Sequence, residues 1–225
     1  MEPIYIVGAA RTPMGSFLGS LSGVTAPQLG AVAIAAAVQR SGVLPQNVDE
    51  VLMGCVLTSG IGQAPARQAM RLAGIPDSAG AITIGKVCGS GMQALFLGAA
   101  QIAAQQAQIV VAGGMESMSQ SPHLLKGFRT GQKMGHSNLH DSMILDGLWD
   151  PYNNLHMGQC AEQCVTHYGF TRQAQDDYAV QSYQRAQSSI AQGLFSTEIA
   201  PVSIPQRKGD PVQVTTDEEP AKTNL

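Results

Sequence analysis

From Val87 to Met115 the chain carries no charged residue, so this stretch belongs inside whatever the protein folds into. Its segment Met92 to Ala104 (MQALFLGAAQIAA) is apolar on nearly every side. It reads as a helix buried in the middle of a domain rather than one lying on a surface. Ile109 to Gly114 follows as a short apolar strand. Gln93, Gln101, Gln105 and Gln106 interrupt the span, which leaves its continuous apolar run too short to cross a bilayer. A buried helix beside a buried strand demands covering layers, and the chain upstream supplies them.

That upstream part alternates strand and helix signals. Ile4 to Gly8 reads as a buried strand, and Ala26 to Gln39 as an Ala-rich helix with Thr25 as N-cap and Gly42 just past its end. Val51 to Leu57 reads as a second strand, Pro65 to Ala73 as a helix stopped by Gly74 and Pro76, and Ala81 to Val87 as a third strand. The helix over Gly89 to Gln106 and the strand ending at Gly114 complete a βαβαβαβ order. This order predicts an α/β fold: a mostly parallel sheet with helices on both faces and a ligand site at the carboxyl ends of the strands.

Charge divides the chain. Residues 1–115 hold nine Asp, Glu, Lys or Arg, residues 116–225 hold twenty, and all five histidines fall in the second part. A boundary near Gly114 follows. Met115 to Asn154 is rich in Gly, Ser, Met and His without a sustained period, as an ordered insertion or cap would be. Helices are then expected from His156 or Met157 to Tyr168, ending at Gly169, and from Arg172 to Gln192 with Thr171 as cap and an apolar face of Ala179, Tyr183, Ala186 and Ile190. The tail from Pro205 is polar, with a hairpin turn at Lys208 to Asp210, and reaches Leu225 without a closing element.

Composition excludes several classes. A net charge of -3 leaves no basic footprint for nucleic acid or for an anionic membrane. Four unevenly spaced cysteines are too few for a disulfide scaffold and point to a reducing cytoplasm. The N-terminal MEPIYIVGAAR, with Glu2 acidic and a short apolar run, fits neither a secretory signal nor an Arg-rich transit peptide.

Cys88 is the principal candidate for chemistry. It ends a β-branched run, and Gly89, Ser90 and Gly91 open the helix after it. A cysteine capping a buried helix faces N–H groups and a dipole that favour a thiolate. The small residues would let a substrate carbonyl approach with N–H groups aimed at its oxygen, which suits acyl transfer to sulfur. A small buried cysteine fits the same local pattern. Both readings stay open on these residues alone.

Other constellations carry less. His136, His140 and Asp141 have a spacing that could ligate a metal on a helix, but Gly135, Ser137 and Asn138 argue for a loop. No metal site is assigned. Cys160 and Cys164 would share a helix face as packing residues, lacking the second pair that a zinc site requires. Gly113 and Gly114 at a strand end do not extend into a phosphate-binding motif. Arg11 and Glu116 suit holding loops or subunit contacts.

Taken together, Ala9 to Gly15 (AARTPMG), Gly62 to Gln68 (GQAPARQ), Lys86 to Gly91 (KVCGSG), Ala112 to Ser119 (AGGMESMS), Asp146 to Leu148 and His156 to Gly158 (HMG) resemble the N-terminal part of a thiolase, closest to the acetyl-CoA acetyltransferase type. The resemblance runs over essentially the whole chain and favours the catalytic reading of Cys88. It implies a thiolase-like βαβαβ layered fold over 1–115 and an inserted α-rich loop domain covering CoA over 116–225. Cys88 would form an acyl-enzyme from an acyl-CoA and its N–H would help hold the oxyanion. Leu148, His156 and Met157 would line the pantetheine and acyl pocket. CoA and acyl-CoA would be substrates, with no permanently bound cofactor, and the assembly a homodimer or dimer of dimers. The His-Met-Gly form resembles short-chain, biosynthetic-type members.

Two departures stand against that pattern. Gly85 occupies the position, three residues before the nucleophile, where thiolases usually have Asn, so a side-chain hydrogen bond is missing. The Gly-His-Pro, Asn-Glu-Ala-Phe and Cys-x-Gly-Gly-Gly motifs of a thiolase's second half do not occur in the chain. A chain lacking them is expected to be a truncated thiolase, inactive alone. The rival readings are another condensing enzyme of the same fold, such as a ketosynthase or hydroxymethylglutaryl-CoA synthase, against which the Met115 to Ser119 run and His156 to Gly158 argue, and a non-catalytic thiolase-like binding or assembly protein.

Overall fold

Residues 3–223 are described by the computed structural model. Met1, Glu2, Asn224 and Leu225, the two ends on which the leader and tail readings rested, lie outside them. The site is positioned by a parallel sheet of β1 (Glu50–Gly54), β2 (Gly80–Ile84) and β3 (Val110–Gly114), in the order β2-β1-β3. Glu50 is in register with Gly80 on one side and Val110 on the other. As the central strand, β1 is buried on both faces. Alternation sends Val51 and Met53 into a core with Ile34, Val38 and Met70, and sends Leu52 to the opposite face against Ile84 and Ala94. Truncating Leu52 or Met53 to Ala would cost about 2–5 kcal/mol.

Helices cover both faces, as the alternating pattern predicts. On one face lie α1 (Ala26–Ser41) and α2 (Pro65–Leu72); on the other lies α3 (Ser90–Ala103). The start of α1 is a capping box. Gln28 N–H donates to the Thr25 hydroxyl at 3.4 Å, and Thr25 N–H donates to the Gln28 side chain at 2.9 Å. Such a cap stabilises by about 1 kcal/mol. Gly42, left-handed at φ 72°, ends the helix.

Two expectations are corrected here. Ile4 to Gly8 forms no strand, and Tyr5 and Ile6 are 75% and 77% exposed. A strand needs a hydrogen-bonding neighbour, and this segment pairs with none among the described residues. It flanks an apolar cavity of about 340 Å³ whose opposite wall is Ile109 to Ala112, on the edge of β3 that β1 leaves free. Nor is α3 buried all round. Ser90, Ala94 and Gly98 face the sheet, while Met92, Leu95, Phe96 and Leu97 are exposed. The helix is apolar throughout, yet within these residues only one face is covered.

The irregular region after β3 holds two short hairpins, β4 (His123–Leu125) with β5 (Leu139–Asp141) and β6 (Trp149–Asp150) with β7 (Leu155–His156), and between them a π-helical turn over Met143–Leu148. The expected helices follow as α4 (Met157–Tyr168) and α5 (Arg172–Ala191), capped by His156 and Thr171. Neither fully buries a residue. On the apolar face read for α5, Tyr183, Ala186 and Ile190 are half-buried and Ala179 is exposed. Of the cysteines read as packing residues, Cys160 is half-buried and Cys164 exposed, which does not support a packing role for Cys164.

The tail forms the expected hairpin, β8 (Val202–Ile204) with β9 (Val212–Val214). Contrary to expectation, it then closes onto the N-terminal segment. Arg11 donates to Asp217 through both terminal nitrogens, at 2.7 and 2.9 Å, and to Glu198 at 2.6 Å, with its guanidinium 5.1 Å over the Phe195 ring. Met14 N–H donates to Asp217, and the N–H groups of Ser16 and Ser20 donate to Glu218. Burial alone would raise Asp217, but the bonds from Arg11 and Met14 outweigh it and hold the carboxyl below the usual range. The backbone N–H groups of Ser20 and Ser16 pull Glu218 down to about 2. Arg11 thus holds loops together, as its sequence context suggests.

Candidate active site

Cys88 stands at the carboxyl end of β2, where the chain turns from sheet to α3. The helix begins two residues after it, with Gly89 as N-cap, so Cys88 precedes the cap instead of forming it. It is exposed rather than sealed in a core. The turn is tight. Val87 adopts φ 47°, in the left-handed region, at a cost on the order of 1–3 kcal/mol for a β-branched residue. Gly89 N–H donates to the Lys86 carbonyl and Ser90 N–H to the Val87 carbonyl, both at 3.1 Å. Those two donors are therefore spent on the turn, and the Cys88 N–H is the one to consider for an oxyanion.

Small residues let the start of α3 press against the sheet. A Cβ at Gly54 would lie 2.5 Å from the Gly91 nitrogen, so no larger residue fits at the end of β1 without a shift. The result is an open apolar cleft of about 450 Å³ over the strand ends, reached by Cys88, Met115, Met118, Met143 and Leu148. The π-helical turn carries Leu148 into it.

Glu116 also borders the cleft, and its carboxylate is committed. It accepts from Val56 N–H at 2.8 Å and Leu57 N–H at 3.2 Å, with the Cys55 sulfur 3.6 Å away. These bonds end β1 at Gly54, short of the Leu57 read from sequence, and make Glu116 the holder of a loop, as expected. Burial, and then the Glu116 charge, push the Cys55 thiol up to about 12. Of the two cysteines bordering the cleft, Cys55 is buried and Cys88 is exposed.

Of the positions implied for CoA, Leu148 shares the cleft with Cys88, whereas His156 and Met157 do not line it. His156 Nδ1 accepts from Gly158 N–H at 3.0 Å as the cap of α4, and Met157 is the first residue of that helix. His136, His140 and Asp141 do not converge. His136 lies in an exposed loop, His140 and Asp141 are adjacent in β5, and no group of three metal-binding side chains occurs among the described residues. Around Gly85, a Cβ would meet open space. Not anticipated from sequence were the bonds of the Ser90 hydroxyl to Lys86 and Val87 and the close approach at Gly54. A glycine inside the apolar run Val51 to Leu57 was the available signal for the second.

Residues 4–225 match the family model described as thiolase, N-terminal domain. The chain belongs to the thiolase family. It is 56% identical over 218 residues to an acetyl-CoA acetyltransferase of Cupriavidus necator, covering 97% of this chain and 56% of that protein. An acetyl-CoA acetyltransferase of Pseudomonas aeruginosa is 50% identical over 220 residues, 98% of this chain and 56% of the relative. A cytosolic acetyl-CoA acetyltransferase of Gibberella zeae is 50% identical across the chain and 57% of its own length. This thiolase chain therefore spans about half the length of the curated relatives it matches, and its parallel sheet with helices on both faces is the α/β architecture of the thiolase N-terminal domain. Among the described residues, no helix is long and apolar enough to cross a membrane.

Proposed function

We propose that the chain is the nucleophile-bearing part of a thiolase that transfers acyl groups between CoA thioesters, interconverting two acetyl-CoA with acetoacetyl-CoA and CoA or cleaving 3-ketoacyl-CoA. The observation that carries this is Cys88, exposed in an open apolar cleft at the strand ends of a thiolase N-terminal domain. In condensation the Cys88 thiolate adds to the thioester carbonyl of acetyl-CoA, the bond to the CoA sulfur breaks and CoA leaves. In cleavage it adds to the 3-keto carbonyl, the C2–C3 bond breaks and acetyl-CoA leaves as an enolate that takes up a proton. In both an acyl-cysteine remains. Either the CoA thiolate then attacks that acyl group, or the α-carbon of acetyl-CoA does so after losing a proton. Both routes release the Cys88 sulfur.

Of this chain, the cleft supplies Cys88, its N–H and apolar walls for the acyl group. The one carboxylate lining it among the described residues, Glu116, is spent on Val56 and Leu57. The base and the remaining oxyanion donors come from the part of a thiolase that the longer relatives possess and this chain does not span. The exposed face of α3, with Leu95 and Phe96, suits packing against that part. Residues 116–225 form the CoA-covering domain, Leu148 contacts the acyl and pantetheine chain, and His156 and Met157 approach the bound CoA. CoA enters as substrate. The complete protein works in the cytoplasm as a homodimer or dimer of dimers.

The test joins residues 1–225 to the C-terminal portion of the Cupriavidus necator relative. Acetoacetyl-CoA cleavage appears in the joined protein and is abolished by Cys88→Ala, while residues 1–225 alone give none. Cleavage by the 225-residue chain alone, or cleavage that survives Cys88→Ala, contradicts the proposal. A folded joined protein without turnover favours a binding or assembly role.

A further inference from the structure

Besides its two backbone bonds, the turn that carries Cys88 is held by a buried hydroxyl. Ser90 is 3% exposed, and its Oγ accepts from Lys86 N–H at 2.7 Å and donates to the Val87 carbonyl at 2.6 Å. The two backbone groups lie on either side of Val87, the residue forced to φ 47°. A β-branched residue relaxes to negative φ unless its surroundings over-determine it, and the paired bonds close that route. With its proton given to a carbonyl and a lone pair engaged by an amide, the hydroxyl is not poised as a nucleophile of its own. We propose that Ser90 is the positioning residue of the nucleophile: by clamping Lys86 and Val87 it holds Val87 left-handed and so keeps the Cys88 sulfur and N–H turned into the cleft. This rests on the reading of Cys88 as the acyl carrier for its purpose, but not for its geometry.

Without the hydroxyl, Lys86 N–H loses its partner in a half-buried position, and a buried donor left unpaired is costly. Rotation of the Val87 peptide is the local escape, and it swings Cys88. Asn tolerates the left-handed region far better than Val, and Val87 is 53% exposed, so Asn has room at that position. A second route to the same backbone is therefore available without the clamp.

The test measures iodoacetamide alkylation of each cysteine in the 225-residue chain, by peptide mass spectrometry, for the parent, Ser90→Ala, Val87→Asn and the double variant. Ser90→Ala lowers the rate at Cys88 about tenfold, the scale of one lost buried hydrogen bond, while Cys160 and Cys164 keep theirs. The double variant recovers Cys88 to within about threefold of the parent, since its backbone returns by propensity. A parent rate at Cys88 in Ser90→Ala overturns the proposal. So does a loss that Val87→Asn fails to recover, because simple loss of packing has no reason to respond to a left-handed former. Should Ser90→Ala open the fold, seen as new labelling of buried Cys55, Val87→Asn alone decides. Its melting temperature rises if Val87 is strained as described, and a fall sinks the inference.

Discussion

The Glu116 carboxylate lies 3.6 Å from the Cys55 sulfur and holds the loop that follows β1, so this thiol is buried beside a negative charge. Cys88, which borders the same cleft, is exposed. The pair sets a ranking. At neutral pH, limiting iodoacetamide labels Cys88 first among the four thiols and Cys55 last, because burial and the Glu116 charge keep Cys55 protonated and only the thiolate reacts. Preferential labelling of Cys160 or Cys164 in folded protein removes the basis for the nucleophile.

The tail latch is acid-sensitive. Glu218 has its pKa depressed to about 2 from an ordinary 4.5, and Asp217 is held below its ordinary 3.8. Stability from depressed carboxyls is fully present above the unfolded values and lost as pH falls through the folded ones. Hydrogen exchange in residues 11–20 and 215–222 therefore accelerates as pH drops from 4.5 toward 2, after correction for intrinsic rates, before β1 opens. Asp217→Asn reproduces part of this at pH 7 and costs about 2 kcal/mol, the scale of a charge-assisted bond lost from a buried group. An exchange pattern in which β1 opens first contradicts the latch.

Gly85 leaves room for the side chain that most thiolases have there, since a Cβ meets nothing within 4 Å. Gly85→Asn is accommodated and stabilises by about 0.5 kcal/mol through the reduced freedom of the unfolded chain. The urea midpoint moves up at constant slope. A lower midpoint means that the backbone at Gly85 is not open to a side chain.

The cap role of His156 and its proposed approach to CoA are confused by a single substitution to Ala. As the cap of α4, its replacement by Ala costs about 1 kcal/mol of helix stability. His156→Asn keeps a capping acceptor and removes the imidazole. In the joined protein it raises the KM for acyl-CoA severalfold with the melting temperature held within about 2 °C. Unchanged kinetics in His156→Asn confine the residue to capping.

These outcomes follow the line between what was legible in the sequence and what was not. The parallel units were legible because their signals are local: Thr25 caps α1, Gly42 ends it, and Val51 to Leu57 is a short apolar run that contains the central strand. Ile4 to Gly8 has strand composition, but pairing requires a neighbour that local pattern does not specify. The same holds for α3 and α5, whose apolar residues announce surfaces able to be buried without saying what covers them. Arg11 and Asp217 are 206 positions apart, and no periodicity links them. At the site, its small neighbours singled out Cys88 but left its chemistry open. The Ser90 clamp was not legible, because it depends on the left-handed turn of Val87.

The account stands most directly on whether Cys88 carries the acyl group. The joined protein, mixed with acetyl-CoA, quenched in acid within one turnover and digested, is analysed by mass spectrometry for the peptide containing Cys88. One acetyl group on Cys88, discharged when CoA is added before the quench, is the result expected. Acetyl found on another residue, or turnover with Cys88 never modified, contradicts it.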